Sequence, residues 1–115
     1  MFEVGTPAWA ALACVAGSLD YIASIGVDAI VRHRQPLLQE LQSKLPALGF
    51  TALTPPDSLS PIVAFACKDA QKRFAARLRA EKIRISIYEH RIRVSPSVYN
   101  TMDDVEHLLK TLSQV

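Results

Sequence analysis

Between positions 91 and 101 the chain reads Arg-Ile-Arg-Val-Ser-Pro-Ser-Val-Tyr-Asn-Thr, and here residue type and spacing could do chemistry. Alternation puts Arg91, Arg93 and Ser95 on one face of a strand and Ile92 and Val94 on the other. Pro96 ends the pairing, because it has no N–H to give a ladder. Thr101, with Asp104 three residues on, is a helix-start pattern. A guanidinium near the end of a strand, just before a turn, suits a two-pronged grip on a carboxylate. On spacing alone, an arginine on an exposed strand face is the plainer description of Arg93.

The elements that must position this stretch follow from periodicity. Thr6-Pro7 is a helix start, a capping hydroxyl followed by proline at the first helical position. A first helix is expected from Pro7 to Ile25, with Leu12, Val15, Leu19 and Ile22 at helical spacing. Its first half is apolar nearly all round, so it reads as a buried helix that needs cover from this domain and from another. Ser18 and Asp20 interrupt the apolar run well short of a membrane span. Gly26 is the expected C-cap. A second helix is expected from Val27 to Leu45, buried along Ile30, Leu37, Leu38, Leu41 and Leu45 and kinked near Pro36.

Phe50–Leu53 reads as a short edge strand and Ile62–Cys67 as a compact apolar strand. Asp69 is placed to cap a third helix reaching Ala80, whose Lys72, Arg73, Arg77 and Arg79 describe a solvated face. Ile83–Tyr88 alternates, isoleucines inward and Arg84, Ser86 and Tyr88 outward, and Glu89-His90 turns the chain into Arg91–Ser95. A last helix over Met102–Ser113 shows Val105, Leu108, Leu109 and Leu112 on one side. The sum is an α+β fold: a small, mainly antiparallel sheet with helices over one face.

A chain of 115 residues, half of them hydrophobic, supports one domain with its own core. A net charge of +2 gives little reason to expect nucleic acid or an anionic membrane as partner. Cys14 and Cys67 lie in apolar runs without metal-ligand spacing, and read as buried reduced thiols of a cytoplasmic protein. Glu3, with no basic residue near the N-terminus, argues against a secretory signal.

Arg93-Val94-Ser95, Pro96-Ser97-Val98, Tyr99-Asn100-Thr101 and Asp103-Asp104 together resemble the C-terminal motif of class V aminotransferases. These are fold-type I pyridoxal-phosphate (PLP) enzymes, a superfamily that includes cysteine desulfurases and isopenicillin N epimerase-like proteins. Phe2-Glu3-Val4-Gly5-Thr6-Pro7 is similar to the segment that opens the C-terminal part of these enzymes, and Leu19–Ile30 to their helix–Gly–helix passage. The resemblance implies that Arg93 binds the α-carboxylate of an amino-acid substrate. It also implies that Thr6, with Gly5, reaches the PLP phosphate of a second subunit in a homodimer. Hydroxyl and free N–H groups at a helix start suit that task.

Two departures shape the expectation. Desulfurases of the class carry a catalytic cysteine in a loop before the arginine strand, whereas Ile87-Tyr88-Glu89-His90-Arg91 turns at once and holds no cysteine. Many relatives also have histidine where this chain has Ser97. Lys44, Lys68, Lys72, Lys82 and Lys110 match no Schiff-base motif, and His33, His90 and His107 form no acid–base set. Residues 1–115 are therefore expected to be the C-terminal small domain of a PLP-dependent parent, inactive alone and completed by an upstream large domain. The alternative is a stand-alone carboxylate-binding or dimerisation module without catalysis.

Overall fold

The computed structural model describes residues 8–114, so Gly5, Thr6 and the expected start at Pro7 lie outside the described residues. Helix α1 runs Trp9–Ile25 and α2 runs Val27–Lys44, followed by a 3₁₀ turn at Pro46–Leu48. Then come β1 (Thr51–Ala52), β2 (Val63–Ala66), α3 (Ala70–Ala80), β3 (Ser86–Tyr88), β4 (Arg91–Val94) and α4 (Met102–Ser113). The strands form one antiparallel sheet in the order β1-β2-β4-β3. The α+β architecture expected from periodicity is the one observed, with β1 at an edge.

Register explains the two faces of the sheet. Val63 pairs with Val94 and Phe65 with Ile92, all four buried. Their neighbours along the strands, Ala64 opposite Arg93 and Ala66 opposite Arg91, therefore point the other way. The inward set meets Leu37, Leu38 and Leu41 of α2, Leu45 at its end, Phe74 and Leu78 of α3, and Val105, Leu108 and Leu112 of α4. Phe50 closes the layer against Phe74 with ring centroids 5.6 Å apart. All the helix packing on the sheet is thus on one face, and the arginine face is left open.

Helix ends carry their reasons locally. Gly26 takes φ 86° and its N–H donates to Ile22 O, which stops α1; the chain turns by 71° into α2. Helix α2 continues through Pro36, whose missing N–H leaves the Arg32 carbonyl without its helical donor. After α3, Lys82 adopts φ 58°; Lys82 N–H donates to Arg79 O and Ile83 N–H to Leu78 O, a Schellman stop.

Four expectations require correction. The α1 helix is not buried: none of its residues is, and Trp9, Leu12, Val15, Leu19 and Tyr21 are all more than half exposed. Cys14 on that helix is consequently exposed, while Cys67 is buried as expected. Asp69 precedes α3 but does not cap it with its carboxylate. It sits in the left-handed region at φ 54°, and its N–H donates to His90 Nδ1 at 3.1 Å. Only residues 86–88 of the Ile83–Tyr88 run join the ladder, because Ile83 is drawn back onto Leu78 O by the α3 stop.

Candidate functional site

The two-residue turn Glu89-His90 fixes which side chains meet on the open face. It sets Tyr88 opposite Arg91 and Ser86 opposite Arg93. Arg93 is exposed, and its Nη2 donates to Ser86 Oγ at 3.3 Å. Arg91 lies flat over Tyr88, its Cζ 4.6 Å from the ring centroid. On the β2 side the cross-strand neighbours of the two arginines are the small residues Ala64 and Ala66. All the described ion pairs involve histidine, which leaves both arginines without a carboxylate within 4.0 Å among the described residues.

The turn after Arg93 is tied down from three directions by Asn100. Its Oδ1 accepts from Ser97 N–H at 2.9 Å, its Nδ2 donates to Asp104 Oδ2 at 3.2 Å, and its carbonyl meets His33 Nε2 of α2 at 2.8 Å. Asp104 also accepts from Thr101 N–H at 3.0 Å, the reverse half of a capping box on α4. That backbone hydrogen bond, followed by the Asn100 amide, holds the Asp104 carboxyl below its ordinary range. Tyr99, by contrast, is 80% exposed. Within the Tyr99-Asn100-Thr101 triplet, then, Asn100 and Thr101 build the turn and Tyr99 faces outward.

The remaining candidates separate from Arg93. A cavity of about 350 Å³ opens beside α4, lined by Glu81, Arg84, Asn100 and His107 among others. It lies on the helix side, and Arg93 is not part of its wall. The His107–Glu81 contact at 3.0 Å joins α4 to the end of α3. Cys67 receives Arg73 Nη1 at 3.2 Å, yet burial pushes its thiol up and makes it a poor nucleophile. Lys44, Lys68, Lys72, Lys82 and Lys110 are all exposed, so no described lysine is enclosed as a Schiff base needs. The described residues therefore do not fit PLP by themselves. No group of histidine, cysteine and acidic residues among them could hold a metal.

The partners Ser86 and Tyr88 were identifiable in the alternation only as outward residues. Counting back from a two-residue turn would have paired them with the arginines.

The family model for class-V aminotransferases matches residues 1–108. The chain belongs to that family. It is 27% identical to a probable cysteine desulfurase of Halalkalibacterium halodurans, over 98% of this chain and 31% of the relative. To the uncharacterized aminotransferase YcbU of Bacillus subtilis it is 22% identical, over 97% of this chain and 30% of the relative. Among solved structures, the cysteine desulfurase of Thermococcus onnurineus superposes with a TM-score of 0.85 at 24% identity, covering 98% of this chain and 32% of that one. A NifS-like protein superposes with a TM-score of 0.81 at 21% identity, covering 96% and 34%. The chain thus spans about a third of the length of the curated relatives it matches. It corresponds to a part of proteins that are larger.

Proposed function

We propose that this chain is the C-terminal small domain of a PLP-dependent, class V aminotransferase-like enzyme acting on an amino acid, in which Arg93 holds the substrate α-carboxylate. The observation that carries the reading is the state of Arg93. It stands on the open face of the sheet, steadied at one nitrogen by Ser86, and its other N–H donors meet no acceptor among the described residues, which leaves them to a planar anion. PLP would supply the electron sink, held by the rest of the parent protein. This chain's part is orientation: a fixed fork sets the plane and position of the carboxylate, and with it the bond to be broken.

Thr6 and Gly5 enter the reading as the phosphate contact of a neighbouring subunit in a homodimer, on the strength of the opening motif alone. Desulfuration is disfavoured by the short β3–β4 turn. Cys14 and Cys67 are the cysteines of the chain, one on α1 and the other buried beyond the end of β2, and neither lies in that turn.

The test is amino-acid turnover by the full-length protein that carries this chain. Arg93→Lys keeps the charge but not the fork, and should lower kcat/KM by roughly a hundredfold with the melting temperature unchanged. Kinetics equal to the wild type would refute the role of Arg93.

A further inference from the structure

Arg91 has no task in the reading above, yet it stands beside Arg93 on the same open face. Two residues along one strand separate their backbones by roughly 6.6–6.8 Å. Each is steadied by a different residue of β3, Arg93 by the Ser86 hydroxyl and Arg91 by the Tyr88 ring. Neither has a carboxylate within 4.0 Å among the described residues. Two like charges held side by side in this way repel one another, and Ala64 and Ala66 on the adjoining strand leave the space over them open.

We infer that Arg91 is a second anion site, and that the amino-acid substrate is an amino dicarboxylic acid whose α-carboxylate sits on Arg93 and whose side-chain carboxylate sits on Arg91. The inference rests on the reading of Arg93 given above. One carboxylate cannot fill both forks, because each fork takes two oxygens and the two stand a strand repeat apart. Two carboxylates joined by a short carbon chain can, with the chain lying over Ala64 and Ala66. Binding then removes the repulsion between the arginines, a gain that a substrate with one carboxylate cannot make. The stacking of Arg91 on Tyr88 favours this use, since a guanidinium already held flat loses little freedom when a planar anion docks against its edge.

The experiment compares aspartate and glutamate with alanine and serine as substrates of the cofactor-loaded, full-length protein. In Arg91→Gln, the ratio of kcat/KM for the dicarboxylic over the monocarboxylic amino acids should fall roughly tenfold to a hundredfold. Calorimetric titration with maleate should show its affinity falling by a similar factor, with acetate affinity not following. A ratio and a maleate affinity that both stay put overturn the second site. So does a loss shared equally by all four amino acids. Should Arg91→Gln fail to fold, Arg91→Lys carries the test, because a point charge in place of a fork lowers the ratio in the same direction and an unmoved ratio is equally fatal. Arg93→Lys keeps the two claims apart. It should depress all four substrates together, and if it depresses none, the reading of Arg93 fails whatever Arg91 does.

Discussion

Asn100 shows how a recognisable motif divides its labour residue by residue. Its side-chain amide serves Ser97 and Asp104 while its main-chain carbonyl meets His33; Asn100→Ala removes the two side-chain bonds and should lower stability by about 1 kcal/mol in urea unfolding. Asp104 makes a second, pH-dependent contribution. Its carboxyl is held below the ordinary range by the Thr101 N–H and the Asn100 amide, so the folded chain favours the ionised form. The stability that this confers is complete above the unfolded carboxylate pKa and disappears as pH falls through the lower folded value. In urea titrations, the advantage of the wild type over Asp104→Ala should therefore be full at neutral pH and shrink in acid. An advantage that grows on acidification would contradict the hydrogen-bond account. Neither residue needs to touch a substrate for the motif to matter, because both hold the chain that leaves Arg93.

At the scale of elements, the core was legible wherever a period was complete. Leu37, Leu38 and Leu41 on α2, Leu45 just past its end, and Val105, Leu108 and Leu112 on α4 are buried as spacing assigns, whereas Ile30 and Leu109 of the same expected stripes are only half-buried. Phe65→Ala should accordingly cost about 3–5 kcal/mol, since Phe65 is fully enclosed between β4 and the helices. What alternation could not show is where a strand stops pairing. Ile83–Tyr88 alternates throughout, but the αL turn at Lys82 ties Ile83 to Leu78 and delays the ladder to Ser86. That same turn gives a direct test. A lysine at φ 58° is strained where glycine is not, so Lys82→Gly should raise stability by about 0.5–1 kcal/mol despite its greater unfolded-state entropy. Asp69 is the companion case: its residue type suggested a side-chain cap, whereas the backbone used its N–H on His90 instead. Local propensity marked both boundaries and misjudged the atoms that make them.

The whole molecule is extended for its length. Its radius of gyration is 17.7 Å, against about 13 Å for a compact chain of similar size. The cause is α1, which projects from the sheet layer with no buried residue. Periodicity identified the helix and its apolar character, but no pattern within one chain can tell whether the cover for such a face comes from that chain. Leu12, Val15, Leu19 and Ile22 form a continuous apolar stripe at spacings of three and four, all of them exposed. A patch of that kind left open in water drives association. The chain expressed alone should therefore self-associate in sedimentation velocity, and Leu12→Glu with Leu19→Glu should return it to a monomer. In the full-length protein the same pair should have the opposite character. If the large domain covers the stripe, two buried carboxylates there are uncompensated, and the melting temperature should drop by several degrees. A wild-type chain that stays monomeric at high concentration would mean that the stripe is too weakly apolar to need cover. A full-length protein indifferent to the pair would mean that the rest of the protein leaves this stripe uncovered.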